Sequence, residues 1–296
     1  NIGLAARNQG LESVVEELRA QAEQYCQRIK RLNMSEAKLS DYEARVAEIR
    51  KGFLPPLIGA GLPNETSELR WLQTISEQCA IYGVSFPRRI LYAFHTALKV
   101  SDWTSITVLA GVSGTGKSEL PKLYAAFGGL NFIAVPVQPN WDSQESMLGF
   151  FNSIDNRFEP EDLLRFLVQC TEDKTYNQYM SIVLLDEMNL AHVEHYFADF
   201  LSKLESRRGS SKKDLPSVEI KLGAGVQPYR LNLVRSIMWT GTMNQDETTK
   251  SLSDKVLDRG LVINFPRPRT LLSREDMPVL QQQIEKLNRP MLTKQV

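Results

Sequence analysis

The residues whose types and spacing indicate chemistry most specifically lie in a glycine-rich turn, AGVSGTGKSELPKLY, at 110–124. In this turn Gly111 is followed by four residues and then by Gly116, Lys117 and Ser118. Glycine lets the backbone curl until several N–H groups point at one anion, while the lysine and the serine add a cation and a hydroxyl. The turn therefore predicts a phosphate-binding loop.

The flanking sequence supports this interpretation, because an apolar run enters the turn and a helical pattern begins near Lys117. Spacing and context together form the Walker A pattern of nucleotide-binding proteins, and they disfavour a turn that binds nothing. In that pattern Lys117 contacts the β- and γ-phosphates, the helix N-terminus adds partial positive charge, and Ser118 ligates Mg²⁺. The predicted nucleotide-binding residues are Gly111, Ser113, Gly114, Thr115, Gly116, Lys117, Ser118 and Glu119.

A pair of carboxylates follows a second apolar run, in SIVLLDEMN at 181–189. Burying two carboxylates at the end of an apolar strand costs free energy. The cost is avoided when they lie at the carboxyl edge of a parallel sheet, which is where ligands bind. We therefore predict that Asp186 joins Ser118 in holding Mg²⁺. We predict that Glu187 orients the attacking water or accepts its proton.

The elements that must position these residues follow a regular alternation. From residue 105 onwards, short apolar runs rich in β-forming residues are mostly separated by helical stretches, which predicts an α/β fold with a parallel sheet flanked by helices. Between the runs at 181–185 and 236–240, the segments VEIKLG and YRLNLV alternate polar and apolar residues like the two strands of a hairpin. The predicted sheet strands lie at 105–110, 132–137, 181–185, 236–240 and 261–265.

The N-terminal part is different, because apolar residues recur at helical spacing over 4–51. Two interpretations stay open: a partner-binding helical hairpin or coiled-coil arm, and amphipathic helices packed on their own domain. A Gly/Pro-rich stretch, 52–65, predicts a linker, and helices are predicted at 66–82 and 87–100.

Composition sets limits on the function. Lys plus Arg and Asp plus Glu number 35 each, so no overall field draws nucleic acid to the surface. The cysteines (Cys26, Cys79 and Cys170) have neither zinc spacing nor a paired framework, which favours a reducing, cytoplasmic setting. No apolar run approaches the ~20 residues that span a bilayer, and no signal peptide is visible. Because the chain starts at Asn1 and has no clear stop, we expect a fragment of a longer protein.

Four segments resemble one family when they are taken together. GVSGTGKS, LLDEMN with the following LAHVEHYFADFLSKLES, IMWTGTMNQD and LSDKVLDRGLVINF look like an AAA+ ATPase, more narrowly the McrB-like branch of the dynein- and MoxR-related group. The resemblance covers roughly 87–268. It implies that Asn244 lies beside the γ-phosphate and orients the water, and that Arg259 is the arginine finger that reaches a neighbouring subunit's nucleotide.

The resemblance also implies an organisation and a function. It says nothing about 1–65, where the helical spacing and the Gly/Pro-rich stretch predict a helical arm and linker. It implies an AAA+ core at 66–268 with a hairpin insertion near 209–236, and a partial helical lid or the start of another segment at 269–296. The core would form a homo-oligomeric, hexameric ring that couples hydrolysis to remodelling or translocation of a macromolecule. By the same resemblance that macromolecule is DNA, in bacterial defence, with a nuclease domain or subunit.

The nucleotide and the type of activity have alternatives. The restriction-enzyme motor of the branch prefers GTP, but Leu190 follows Asn189 here in place of arginine, and MNQDE replaces its MNTAD, so we expect ATP. The alternative to a motor is a scaffold in which nucleotide binding switches assembly and the arm recruits an effector such as a nuclease.

Three further features carry two interpretations each. The basic residues near 207–213 fit a solvated surface turn better than a nucleic-acid loop, since no aromatic residues interleave with them. The aromatic segment 138–158 fits a pore loop and core packing equally well. His192 and His195 share a helix face, but a metal site would need further ligands, so an ordinary helix surface is favoured.

Overall fold

The structure is a computed structural model that describes 15–16, 18–19, 21–25, 38–54, 67–208, 210, 214–245, 252–267 and 280. The predicted linker beyond residue 54, nearly all of the predicted lid segment, most of the N-terminal arm, and the basic residues Lys212 and Lys213 lie outside the described residues. The division of the chain into domains therefore stays a prediction.

A five-stranded parallel sheet forms the centre of the described chain, as the alternation predicts. Its strand order is β2-β5-β8-β1-β9. Two separate antiparallel hairpins, β3–β4 and β6–β7, interrupt the alternation. The strands are β1 (Ile106–Gly111), β2 (Asn131–Pro136), β3 (Gly149–Asn152), β4 (Arg157–Pro160), β5 (Ser181–Asp186), β6 (Ser217–Ile220), β7 (Tyr229–Asn232), β8 (Ile237–Asn244) and β9 (Gly260–Asn264).

Helices cover both faces of this sheet. On β1, Ile106 and Val108 pack into one apolar cluster and Leu109 into the other, so alternate side chains are buried on opposite faces. This two-sided burial explains why the strands are continuous apolar runs. The helices are α1 (38–49), α2 (Glu68–Ile81), α3 (Arg88–Lys99), α4 (Glu119–Gly128), α5 (Glu145–Leu148), α6 (Asp162–Glu172), α7 (Val193–Tyr196), α8 (Ala198–Ser206) and α9 (Asp254–Leu257). No helix within these ranges is both long and apolar enough to cross a membrane.

The single helix expected after β5 is broken in the structure. A 3-10 turn, Met188–Leu190, is followed by extended backbone at Ala191, and Phe197 separates α7 from α8. The breaks let Phe197 and Phe200 stack on each other and both contact Trp239 of β8, with ring centroids 5.3, 5.2 and 4.9 Å apart. Tertiary packing of large aromatic rings thus overrides the local helical pattern.

The aromatic segment 138–158 is buried in one part and exposed in another, so core packing accounts for only part of it. Trp141 is buried and meets Tyr196 edge-on at 5.3 Å, which is core packing. Phe150 on β3 is 47% exposed, and Ile154 at the tip of the hairpin is 93% exposed. The hairpin therefore carries apolar side chains into solvent, whereas its base belongs to the core.

Arg207 corrects the interpretation of the basic segment as a solvated turn. It is buried at the end of α8 and donates to the carbonyls of Val234 (3.1 Å) and Ser101 (2.9 Å). Burial lowers the pKa of its guanidinium, and Asp102, 3.8 Å from its Nε, opposes that shift. Arg208 is exposed, so only part of the segment matches the prediction.

Helix α1 packs on the core, as one of the two interpretations of the N-terminal part requires. Val46 and Ile49 are buried, and Arg45 is only 4% exposed. The guanidinium of Arg45 donates to Leu222 O (2.8 Å) and Asn156 Oδ1 (3.1 Å), and lies 4.4 Å from the ring centroid of Phe151. One side chain therefore joins α1 to the β3–β4 hairpin and to the loop that follows β6. By contrast, the described residues of 15–25 are exposed.

We expect Arg45→Met to lower the free energy of unfolding by about 2–3 kcal/mol, because methionine fills the space but leaves a buried carbonyl and an amide without their donor. Urea unfolding followed by circular dichroism measures the loss. Arg50→Met is the matched control: Arg50 ends the same helix, but its ion pair with Glu172 (2.9 Å) is exposed. That control should cost less than about 1 kcal/mol, and equal losses in the two variants would contradict this account of Arg45.

Candidate functional site

The candidate site lies where three parallel strands end. β1 ends at Gly111, β5 at Asp186 and β8 at Asn244, and β8 lies between the other two. The register pairs Gly111 directly with Asn244. Because these carboxyl ends share one edge of the sheet, the phosphate loop, the paired carboxylates and the asparagine of IMWTGTMNQD are neighbours, as the sequence predicts.

The phosphate loop has the backbone that its glycines allow. Gly114 (φ 77°) and Gly116 (φ 87°) lie in the left-handed region that other residues disfavour. Gly116 also has little room for a side chain, since a Cβ there would lie 3.3 Å from Cε1 of Phe86. Phe86, in the loop before α3, therefore flanks the phosphate loop, and no sequence motif marks it.

Lys117 points into its own loop. Its side chain is buried, and its Nζ donates to the carbonyls of Gly111 (3.0 Å) and Val112 (2.6 Å). These two carbonyls direct the ammonium into the curve of the loop. An ammonium held there can make charge-assisted hydrogen bonds to a phosphate.

The outer residues of the loop are placed differently. Ser113 is exposed at the tip, and Thr115 closes the turn by donating to Val112 O (3.0 Å). Glu119 begins α4 and its carboxylate lies 3.5 Å from Lys122 Nζ. Ser113 is therefore exposed, whereas Thr115 and Glu119 are half-buried.

Ser118 and Asp186 are in direct contact. Ser118 occupies the N-cap position of α4, yet its hydroxyl makes no capping bond and donates to Asp186 Oδ1 at 2.7 Å. A hydroxyl and a carboxylate are the hard oxygen ligands that Mg²⁺ prefers. These two residues therefore fit a magnesium site, in which phosphate oxygens and water would supply the remaining ligands.

Glu187 and Asn244 form the next contact along the edge. Asn244 Nδ2 donates to Glu187 Oε1 at 3.1 Å, and Glu187 is exposed. Glu187 adopts left-handed backbone (φ 53°, ψ 46°), which is uncommon for a residue with a Cβ. Asn189 is buried and donates to Asn244 O (3.0 Å), which ties the 3-10 turn to the end of β8.

Thr242 is a member of the site that sequence reasoning missed. It is buried on β8, accepts a hydrogen bond from Glu187 N (2.8 Å) and donates to Asp186 Oδ1 (2.6 Å). The signal was present, because residues two apart on a strand share a face and Thr242 precedes Asn244 by two.

Arg259 does not join these residues. It immediately precedes β9, and its carbonyl accepts from Ser105 N, next to the start of β1. The length of β1, about 17 Å at 3.3 Å per residue, therefore separates it from the phosphate loop of its own chain. Its Nε lies 2.9 Å from Glu205 Oε2, and its side chain is 35% exposed.

Two other groups of reactive side chains have ordinary surroundings. The rings of His192 and His195 lie 5.1 Å apart, and the described part of the chain contains no cluster of three or more His, Cys, Asp or Glu suited to a metal. Cys79 and Cys170 are buried and form no disulfide, and burial raises the pKa of the Cys79 thiol to about 12.

Comparison with known proteins identifies no family for this chain. No family model matches it, and no curated protein matches it. Among matching solved structures is a "putative ATPase" from Cytophaga hutchinsonii, with 15% sequence identity over 74% of this chain, 63% of that chain and a TM-score of 0.40. The chain thus spans less than two thirds of that structure. A likeness this weak carries no information on chemistry.

Proposed function

We propose that this chain is a P-loop nucleoside triphosphatase of the AAA+ type that binds and hydrolyses ATP. The observation that carries the proposal is the Ser118–Asp186 hydrogen bond of 2.7 Å, because it joins the phosphate loop to the carboxylate that would share its metal. This contact is not expected of a loop that serves only as a flexible turn, because it joins the hydroxyl at the end of the loop to the carboxylate at the end of β5.

The phosphates would lie in the curve of 111–118. Backbone N–H groups of the loop and the first turn of α4 point positive charge at this space, and Lys117 adds a full charge. Ser118 and Asp186 would hold Mg²⁺, which would neutralise charge on the phosphates.

Glu187 and Asn244 would act on the attacking water. The Glu187 carboxylate accepts a hydrogen bond from the Asn244 amide, so the two groups lie side by side. One water can therefore contact both, with Glu187 as the proton acceptor and Asn244 as a hydrogen-bond donor. Glu187 is exposed at the sheet edge, which leaves it accessible to a water next to the terminal phosphate. An asparagine beside it orients the water without adding charge.

Arg259 would complete the site of a neighbouring copy. It cannot reach its own phosphate loop, because it lies at the opposite edge of the sheet, but it is partly exposed and available to another protomer. A guanidinium suits this role since it stays charged and can contact two phosphate oxygens. This position supports the homo-oligomeric, hexameric ring that the sequence resemblance implies.

The narrower assignment is the McrB-like branch, with DNA as the macromolecule on which the ring works and a nuclease domain or subunit as its partner in bacterial defence. Its support is the resemblance of four segments and the two inserted hairpins, β3–β4 near the second sheet strand and β6–β7 before β8. In this proposal 66–268 is the nucleotide-binding core, 1–65 is the helical arm and linker except that α1 packs on the core, and 269–296 is part of a lid.

The test is Glu187→Gln. The amide cannot accept the water's proton, so turnover of Mg-ATP is expected to fall by about 100-fold or more, while ATP affinity changes less than about 3-fold. Phosphate release and binding of a fluorescent ATP analogue measure the two quantities. Glu77→Gln, the same change at an exposed carboxylate on α2, should leave both unchanged.

Each result separates the alternatives. Equal turnover in wild type and Glu187→Gln would remove Glu187 from the mechanism. Nucleotide-driven assembly without turnover in either protein would favour the switched scaffold over the motor. The same assay with duplex DNA tests the narrower assignment, since a ring that moves along DNA is expected to hydrolyse faster in its presence.

A further inference from the structure

The hydroxyl of Thr242 contacts both acidic residues of the candidate site, at the carboxylate of Asp186 and at the backbone N–H of Glu187. The Glu187 N–H can only donate, so Thr242 Oγ1 accepts there (2.8 Å). The Thr242 hydroxyl therefore donates its hydrogen bond to Asp186 Oδ1 (2.6 Å), the same oxygen that accepts a hydrogen bond from Ser118 (2.7 Å). The hydroxyl thus uses its donor and an acceptor position at once, on a side chain that is itself buried.

The bond to Glu187 matters because of the backbone there. A glutamate in left-handed conformation is unfavourable, and the surrounding contacts must hold it. The N–H of Glu187 finds no partner in a strand ladder at this point, and Thr242 supplies one. That conformation directs the carboxylate toward Asn244 Nδ2.

We propose that Thr242 is a positioning residue for hydrolysis, which fixes the water-activating carboxylate of Glu187 relative to the metal-binding carboxylate of Asp186. This inference rests on the proposed function. Thr242 touches neither substrate nor metal in this assignment; it acts through the two acids. Its removal should therefore slow the chemical step and leave nucleotide binding nearly unchanged.

The chain offers a matched control on the same strand. Thr240 lies two residues earlier on β8, on the same face, and is also fully buried. Its hydroxyl donates to a backbone carbonyl, Val183 O (2.9 Å), and has no contact with either acid. Threonine-to-valine changes at the two positions keep the same volume and differ in which partner loses its hydrogen bond.

The experiment compares Thr242→Val, Thr240→Val and Thr242→Ser in the full chain, with ATP turnover and ATP-analogue binding as readouts. We expect Thr242→Val to lower kcat by about 10- to 100-fold with KM within about 3-fold. Thr240→Val should lower kcat by less than about 3-fold, and Thr242→Ser should recover at least half of the wild-type rate. Thr242→Ala repeats the first arm with a smaller side chain, should valine disturb the strand.

Three results would overturn the proposal: equal effects of the two valine variants, a loss that appears in KM alone, or a serine variant as slow as valine. A wild type without turnover would overturn the proposed function and this assignment together. Wild-type turnover that survives both Thr242→Val and Thr242→Ala would overturn this assignment alone.

Discussion

Lys117→Ala is expected to weaken nucleotide binding by about 100-fold. The ammonium is the one side-chain cation that the described phosphate loop contributes, and it is already directed into the loop by the carbonyls of Gly111 and Val112. Charge-assisted hydrogen bonds to phosphate contribute about 1.5–3 kcal/mol each, so the loss of one or two of them costs about two powers of ten in affinity. Equilibrium binding of a fluorescent ATP analogue with Mg²⁺ measures the change.

Lys122→Ala is the control for this variant. Lys122 lies on α4, the helix that follows the loop, and its side chain is 42% exposed and faces Glu119. The Lys122→Ala change removes the same charge outside the loop, so the affinity for the ATP analogue should change by less than about 3-fold. Equal weakening by both variants would mean that the overall charge of the helix, and not the loop, accounts for binding.

Arg259→Ala is expected to retain ATP binding and to lower turnover of the assembled protein by about 1000-fold, the range known for arginine fingers. The reason is geometric: the residue lies at the edge of the sheet opposite to its own phosphate loop, so its only access to a nucleotide is across a contact between copies. Phosphate release measured at protein concentrations that give the assembled state provides the readout.

Glu205→Ala separates this role from a structural one. It breaks the same ion pair of 2.9 Å but keeps the guanidinium, so turnover should persist. A mixture of Lys117→Ala and Arg259→Ala should regain part of the activity, because mixed contacts combine an intact loop with an intact arginine. If Arg259→Ala hydrolyses normally as an assembled protein, the assignment across the contact is wrong.

The sheet could be predicted because its signal is local. The central strands are short apolar runs, and β1, β2, β5 and β9 agree with their predicted ranges to within one residue. β8 extends further than predicted, to Asn244, since the run there becomes polar while the ladder with β1 continues. Burial also continues as far as Thr242, so the change to polar residues marks the end of neither burial nor hydrogen bonding.

Features that depend on distant partners could not be predicted. The helix after β5 is interrupted because Phe197 and Phe200 pack on Trp239, about 40 residues away in sequence. Arg207 and Arg45 are buried because carbonyls from separate loops surround them. In each case the local pattern is that of a surface helix, and only the assembled fold supplies the compensating contacts.

The candidate site was predicted in part for a related reason. Parallel strands bring their carboxyl ends together, so the proximity of Lys117, Asp186 and Asn244 follows from strand positions alone. The contacts among them do not: the bond from Ser118 to Asp186 and the place of Thr242 depend on side-chain orientation. Threonine is also common in strands because its side chain is β-branched, so its presence at position 242 does not by itself indicate a role in the site.

The position of β8 between β5 and β1 has a mechanical consequence. The strand is laddered along both edges, to Leu184 and Leu185 on one side and to Ala110 and Gly111 on the other. A slip by one residue would break both ladders and reverse every side chain, so the two ladders hold Asn244 level with Gly111. In the proposed function, a displacement at Asn244 would therefore move β5, β8 and β1 together and not β8 alone.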